Sequence, residues 1–334
     1  MNALRKTLAR IGRRLRDPRC YQVFALGTLL TFGAFELGIG ARLGNVTAIF
    51  VTALGTQWLL TRLLHTGRFD PLSPLITSLS LCLLFRTDTP ALAVAAAGLA
   101  IGSKFLLRIR GKHVFNPATF GIAAVFVASD HAWISTGQWG SATLGGLALI
   151  SLGMLVLTRA RRAETTFAFL VTYALIVAGR AIWLGDPLSI PLHQLRNGAL
   201  LLFAFFMISD PRTTPDSAAC RLLFGAIVAG TTAALQFGLF QPGAPVIALA
   251  ACAPLTPLLD ALIRDRRYEW ANASASPFLS HRKETPHAIH RPHGLGLPYA
   301  RPRPDRPGLL RLLRREGRYE PVQPCVPGRA GAQR

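Results

Sequence analysis

The sequence predicts an all-α polytopic membrane protein with about ten transmembrane helices. Half of its 334 residues are hydrophobic, and apolar blocks of membrane-spanning length follow one another from Tyr21 to Ile263. The formal net charge of +21 is concentrated in the two ends and in alternate loops. A soluble basic domain that binds nucleic acid would not carry such spans, so we expect no nucleic-acid partner.

Composition divides the chain into three parts. Residues 1–20 form a basic leader, residues 21–263 the transmembrane domain, and residues 264–334 a Pro- and Arg-rich tail. The block after the leader is long and lacks a small-x-small cleavage site, so we expect an uncleaved first span. The tail is predicted to be disordered and cytoplasmic. A basic amphipathic segment within it, residues 307–316, and the basic leader are expected to contact anionic lipids.

Hydropathy places each span to within a few residues. The ten predicted spans are 22–39, 46–64, 72–86, 90–107, 117–129, 142–158, 165–183, 196–209, 219–240 and 244–263. Some are short or carry Pro and Gly, which is typical of tilted or broken helices. Similar Pro-Leu-Ser/Thr-Pro-Leu segments begin at Pro71 and Pro254. They suggest two inverted five-helix halves, with coincidence as the alternative.

Basic residues fix the expected orientation. With the N-terminus inside, the leader and the inner loops hold eighteen Lys and Arg residues, whereas the outer loops hold four. The positive-inside rule therefore predicts that both termini lie in the cytoplasm.

Two polar clusters on the predicted inner face carry the candidate binding residues. The first contains Lys112, His113 and Asn116, and the second contains Asp210, Arg212 and Thr214. Each precedes or contains a proline that starts a helix, so one interpretation is helix capping alone. The other is a site for an ion or for an anionic group, such as a flavin phosphate or a substrate carboxylate, at two helix N-termini.

Two acidic residues fall within predicted spans. Glu36 lies in the first span and Asp260 near the end of the last. Ionisable residues inside a membrane usually face a cavity or a partner, so both are candidates for an ion pathway. The five cysteines are scattered, and the histidines at 287, 290 and 293 lie in the tail, so we expect no metal site.

Three segments resemble a known family. Phe205-Phe-Met-Ile-Ser-Asp-Pro-Arg-Thr-Thr-Pro215, Arg221-Leu-Leu-Phe-Gly-Ala-Ile-Val-Ala-Gly230 and Pro254-Leu-Thr-Pro-Leu-Leu-Asp260 resemble the RnfD/NqrB membrane subunits of ion-translocating electron-transport complexes. Phe115-Asn-Pro-Ala is similar to their Asn-Pro-Ala element. Within that family, Lys112 to Pro117 and Trp133 to Gly140 look closest to the divergent branch that includes the UnbU proteins.

The resemblance implies a flavin, FMN, attached through a phosphoester to a threonine. The matching segment here is Gly137-Gln-Trp-Gly-Ser-Ala-Thr143, which keeps Ser141 and Thr143. Gly137 replaces the acidic residue of the motif and Gly140 replaces a hydroxyl residue. The alternative is an ordinary helix N-terminus capped by Ser141.

The resemblance further implies a subunit of the bacterial inner membrane that transfers electrons and moves sodium or protons together with other redox subunits. Catalytic residues cannot be assigned, since the sequence has no P-loop, dinucleotide fingerprint or nucleophile-base pattern. Whether the chain is itself an enzyme is left open. A cofactor-free transporter of a metabolite or ion, and a membrane scaffold, are the alternatives.

Overall fold

A computed structural model of the chain describes residues 17–135, 139, 152–154, 163–263 and 265. Most of the leader, most of the predicted span 142–158 and the C-terminal tail lie outside the described residues. The proposed flavin residues Ser141 and Thr143 also lie outside them.

The described chain is mostly helical, and its helices follow the predicted spans. The elements are α1 (Pro18–Phe35), α2 (Leu43–Leu63), α3 (Leu72–Leu84), α4 (Pro90–Leu106), α5 (Pro117–Ala128), α6 (Ala163–Leu184), α7 (Ser189–Leu195), α8 (Gly198–Leu202), α9 (Ala218–Gly238), α10 (Ala244–Cys252) and α11 (Leu255–Leu262). A π-helical turn, Phe203–Met207, continues α8. Each predicted span apart from 142–158 therefore coincides with a helical segment.

Fewer helices qualify individually as membrane spans. Within the described ranges, α2, α6 and α9 are long and apolar enough to cross a membrane, and the bent pair α10 and α11, with a 48° angle, provides a fourth. Helices α3, α4, α5 and α8 with its π turn are apolar but shorter. At 1.5 Å per residue, the 12 residues of α5 reach about 18 Å. This is short of a hydrocarbon core of about 30 Å, so the number ten remains a proposal.

Proline and an Asn or Asp cap set several helix starts. Asn116 Oδ1 accepts a hydrogen bond from the Thr119 amide at 3.1 Å, with Pro117 at the first helical position. Asp17 caps α1 in the same way, accepting from the Arg19 amide at 3.0 Å. Proline suits this position because its missing N–H would have no partner inside the helix. The capping interpretation of Asn116 is thus correct, and it leaves the Asn116 amide nitrogen free to bond elsewhere.

Two short antiparallel ribbons correct the all-α expectation. Strand β1 (Phe85–Thr87) pairs with β4 (Ala132–Ile134), and β2 (Arg108–Ile109) pairs with β3 (Lys112–His113). The β2–β3 hairpin turns through Arg110 and Gly111, whose φ angles are 51° and 76°. Two consecutive positive φ values are characteristic of the tight turns that match strand twist. This hairpin holds Lys112 and His113 beside the start of α5.

Small residues bring the longest helices close together. Helix α9 packs on α6 at Gly225, where an added Cβ would lie 2.6 Å from the Thr165 carbonyl oxygen and 2.9 Å from Ala168 Cβ. Helix α5 packs on α4 at Gly121, where an added Cβ would lie 2.8 Å from Ala100 Cβ. Small residues at such crossings allow the close backbone approach that drives helix association in membranes.

Candidate functional site

Three charged residues meet where the β2–β3 hairpin contacts the start of α9 and the last described helix, α11. Lys112 Nζ lies 3.0 Å from Asp216 Oδ1 and 2.6 Å from Asp260 Oδ2. We call Lys112, Asp216 and Asp260 the Lys112 cluster. Their side chains are only 11%, 13% and 16% exposed. One ammonium faces two carboxylates, so the cluster carries a net charge of −1.

The two carboxylates of the Lys112 cluster are also tied to each other. The Asp216 backbone amide donates to Asp260 Oδ1 at 2.7 Å. On the other side, Arg221 on α9 donates to the Asp216 carbonyl oxygen at 2.5 Å and to Glu164 of α6 at 3.2 Å. The cluster is therefore part of a charged network that links β3, α6, α9 and α11.

The two polar clusters predicted from the sequence lie together in the structure. Asn116 Nδ2 lies 3.4 Å from Asp210 Oδ2 and 3.3 Å from the Met207 carbonyl oxygen. Asp210 Oδ1 accepts from the Arg212 amide at 3.1 Å, and its carbonyl oxygen accepts from the Thr214 hydroxyl at 3.2 Å. Thr214 is buried, whereas the Arg212 side chain is exposed.

A buried lysine of α4, which the sequence suggests only as a loop charge, belongs to the same region. Lys104 is 4% exposed, and its Nζ donates to Gln57 Oε1 and Ser73 Oγ, each at 2.7 Å. The sequence signal that could have found it is its position within the apolar run of α4, where burying a charge requires polar partners.

His113 lies between two cavities at this end of the bundle. A cavity of about 60 Å³ is lined by His113 together with Lys104, Asn116 and Asp210. A cavity of about 280 Å³ is lined by His113 together with the Lys112 cluster. His113 is 8% exposed, and its buried Nδ1 has no hydrogen-bond partner among the described residues. The His113 imidazole therefore borders both cavities.

Burial shifts the ionisation of His113 and Asp210, which both line the smaller cavity. Desolvation, reinforced by the charges of Arg108 and Arg212, lowers the pKa of His113 to about 3, so this imidazole is neutral at physiological pH. Burial raises the pKa of Asp210, although its hydrogen bond from the Arg212 amide and the nearby guanidinium act in the opposite direction.

The lowered pKa of His113 predicts a loss of stability in acid. The unfolded chain binds a proton at His113 below pH about 6.5, whereas the folded chain resists it down to about pH 3. The stability contributed by neutral His113 is complete above pH 6.5 and falls as the pH decreases. Between pH 6.5 and 5.0 we expect a loss of about 2 kcal/mol. His113→Gln should remove this part of the pH dependence of the melting temperature. If the melting temperatures of the variant and the wild type decrease equally between pH 6.5 and 5.0, the prediction is wrong.

The described residues at this end leave little room for a flavin. A cavity of about 60 Å³ is far below the roughly 300–1,000 Å³ of typical ligand pockets. In the 280 Å³ cavity the Lys112 ammonium is already paired with two carboxylates, so it is not free to bind a phosphate. The described lining also holds basic residues, Arg110 in the 280 Å³ cavity and Arg19, Lys104 and Arg212 in the 60 Å³ cavity. An ion site at these residues therefore stays a prediction.

Glu36, the other residue predicted for an ion pathway, lies apart from this region. It is the C-cap of α1, and its side chain is exposed. Asp260, in contrast, is part of the Lys112 cluster. A role of Glu36 in ion movement therefore stays a prediction, without a described contact to the other candidates.

A family model and the curated relatives of this chain point to the same family. Residues 131–269 match the model of the NQR2, RnfD, RnfE family. A relative from Tolumonas auensis, named as a subunit of an ion-translocating oxidoreductase complex, is 28% identical over 165 residues, which is 48% of this chain and 44% of the relative. The protein of the same name from Escherichia coli O7:K1 is 32% identical over 139 residues, 41% of this chain and 35% of the relative.

These matches cover only part of each protein. The chain aligns with less than half the length of these curated relatives. The family match includes Asp210, Asp216 and Asp260, whereas Lys112 and Asn116 lie before it. Over residues 131–269, the chain is thus similar to the NQR2, RnfD, RnfE family.

Proposed function

We propose that this chain is an integral membrane subunit of an ion-translocating oxidoreductase complex, in which flavin-dependent electron transfer drives the movement of sodium or protons. The proposal draws on the family match, on the names of the relatives, and on the apolar helices. Other membrane or cytoplasmic redox subunits would be its partners.

The observation that carries the ion part of this proposal is the Lys112 cluster. Lys112 is a tethered cation shared by two carboxylates, at 3.0 and 2.6 Å. A sodium ion or proton that reaches Asp216 or Asp260 would compete with the ammonium for the same oxygens. Lys112 would then move toward the other carboxylate, and loading one positive charge would change the net charge of the cluster from −1 to 0.

The neighbouring residues would control access to the cluster. Neutral His113, between the two cavities, would accept or donate a hydrogen bond without adding charge. Asn116 would hold the start of α5 against Asp210. This contact would keep the start of α5 close to the loop between the π turn and α9. Asp210, Arg212 and Thr214 would thus position the loop that leads to Asp216, rather than bind the ion themselves.

The flavin part of the proposal rests on the resemblance at Ser141 and Thr143. FMN attached there would supply an electron carrier that accepts and passes on electrons singly or in pairs. We also propose that the chain forms ten spans in two inverted halves and lies in a bacterial inner membrane with both termini in the cytoplasm. Its basic ends would contact anionic lipids. Within the family, the chain would belong to the UnbU-like branch.

Covalent flavin is tested by in-gel fluorescence and intact mass of the full chain, purified after co-expression with a flavin transferase. We expect a fluorescent band and the mass of one FMN phosphoester in the wild type, both absent in Thr143→Ala. Thr89→Ala, an exposed threonine outside the flavin motif, is the matched control and should keep the flavin. A wild-type chain without flavin would contradict the redox proposal and favour the cofactor-free transporter.

A further inference from the structure

A further cavity lies at the end of the bundle opposite the Lys112 cluster. It has a volume of about 320 Å³. Helix α9 begins beside Asp216 of that cluster, and its far end contributes Gln236 to this cavity. The remaining lining comes mainly from α6, α7, α8 and the loop before α10. A cavity of this size, formed by several helices, is large enough for a small ring compound.

The described lining of this cavity is uncharged. Its polar members are four amides and one phenol: Tyr173, Gln194, Asn197, Gln236 and Gln241. The other described lining residues are apolar or glycine, and no Asp, Glu, Lys, Arg or His is among them. A charged ligand would lose its hydration here without gaining an opposite charge, which costs several kcal/mol. The lining therefore favours a neutral ligand.

One lining residue, Gln194, has a side-chain oxygen that lacks a hydrogen-bond partner within the described part of the chain. Gln194 Oε1 is buried and accepts no hydrogen bond there, although an unpaired buried carbonyl typically costs about 1–3 kcal/mol. In contrast, the Tyr173 hydroxyl is paired with Gln236 Oε1 at 2.5 Å, and Asn197 Oδ1 accepts from the Ala199 amide at 2.8 Å. The unused acceptor of Gln194 is suited to a ligand that donates a hydrogen bond.

Two phenylalanines add an aromatic component. Phe203 is 1% exposed and contributes to the inner wall. Phe240 is 83% exposed and has a φ of 53°, a left-handed conformation that is uncommon for a residue other than glycine. The residue directly after a helix C-cap, here Leu239 of α9, often adopts this conformation, and the Gln241 amide closes the helix end by donating to the Leu235 carbonyl oxygen at 3.2 Å. The exposed Phe240 ring in the cavity lining is available for stacking on a ligand.

We propose that this cavity binds an uncharged ring compound that carries a hydrogen-bond donor, such as a phenol or a primary amide. The donor would bond to Gln194 Oε1, and the ring would lie between Phe203 and Phe240. This binding would be independent of ion or flavin chemistry, since the described lining shares no residue with the Lys112 cluster or with the flavin motif.

The test uses the full-length chain in lipid nanodiscs with 4-hydroxybenzamide as the probe, measured by saturation-transfer NMR against empty nanodiscs. We expect the amide to bind and 4-hydroxybenzoate, the same ring as an anion, to bind at least about tenfold more weakly. Failure of the amide to bind, or equal binding of the benzoate, would overturn the proposal.

Two variants locate the binding site. Gln194→Leu removes the unpaired carbonyl at similar volume, so the protein should remain folded while binding of the amide weakens about tenfold. Phe240→Ala, at an exposed position, should weaken it severalfold without affecting the core. Gln22→Leu, in the lining of the 60 Å³ cavity at the other end, is the control and should leave binding unchanged. Unchanged binding in both Gln194→Leu and Phe240→Ala would overturn the assignment of the site.

Discussion

Replacing Lys112 with methionine is expected to lower the amount of folded protein in the membrane severalfold. Lys112 forms an ion pair with both Asp216 and Asp260. Methionine keeps the volume and removes the charge, so the cluster changes from −1 to −2. Breaking a largely buried ion pair by removing one partner costs about 3 kcal/mol or more, because the remaining charge is left uncompensated.

The double variant Lys112→Met, Asp260→Asn shows whether the loss of protein comes from the extra negative charge or from the lost packing of the lysine side chain. Its net charge at the cluster returns to −1, and the new amide oxygen can still accept from the Asp216 backbone amide. We expect abundance to recover to near the wild-type level. Arg42→Met is the control, because its ion pair with Asp88 is longer, at 3.7 Å, and the Arg42 side chain is 65% exposed. Equal loss of protein in the control, or no loss in Lys112→Met, would contradict the assigned importance of the buried cluster.

A second large effect is expected from Gly225→Val on α9. The valine Cβ would lie 2.6 Å from the Thr165 carbonyl oxygen of α6, and backbone cannot move aside as a flexible side chain can. Overpacking of this kind costs about 1–3 kcal/mol or more, so the two helices should separate and the protein should be degraded.

The same helix provides a matched control at Gly230. No atom of the described residues lies within 4 Å of an added Cβ there, so Gly230→Val changes the same residue type without a clash. Blue-native gels and detergent melting temperatures would compare the two variants. We expect Gly225→Val to lose the folded band and Gly230→Val to keep it. Similar behaviour of the two would show that helix propensity, rather than the contact of α6 with α9, decides the outcome.

Apolar runs and prolines were enough to place most of the helices, whereas α7 (Ser189–Leu195) lies outside every predicted span. Pro117 and Pro90 marked the starts of α5 and α4, because proline at the first turn costs no hydrogen bond. The β2–β3 hairpin was missed, since two residues per strand give no alternation to detect. The π turn within Phe203–Met207 was also missed, because nothing in the apolar sequence FAFFM distinguishes it from an α-helix.

Lys112 and Asp260 were both named from the sequence, but their pairing was not. Lys112 and Asp260 are 148 residues apart, so local patterns could not bring them together. Asp216 was not among the predicted site residues, and its part in the Lys112 cluster follows from the packing of α9 against α11. Lys104 was overlooked because a lysine in the last turn of a helix usually reaches solvent, whereas here Gln57 and Ser73 hold it inside.

The most direct test of the proposed function is cation uptake driven by electron transfer. Inverted membrane vesicles containing the assembled complex would be supplied with NADH, and ²²Na⁺ uptake and internal acidification would be recorded per mole of chain. The wild type and Asp88→Asn, a control at an exposed ion pair outside the Lys112 cluster, should take up the cation. The Lys112→Met, Asp260→Asn double variant, present at similar abundance, should retain less than about a tenth of the rate. Equal uptake by the double variant would contradict ion movement through the Lys112 cluster.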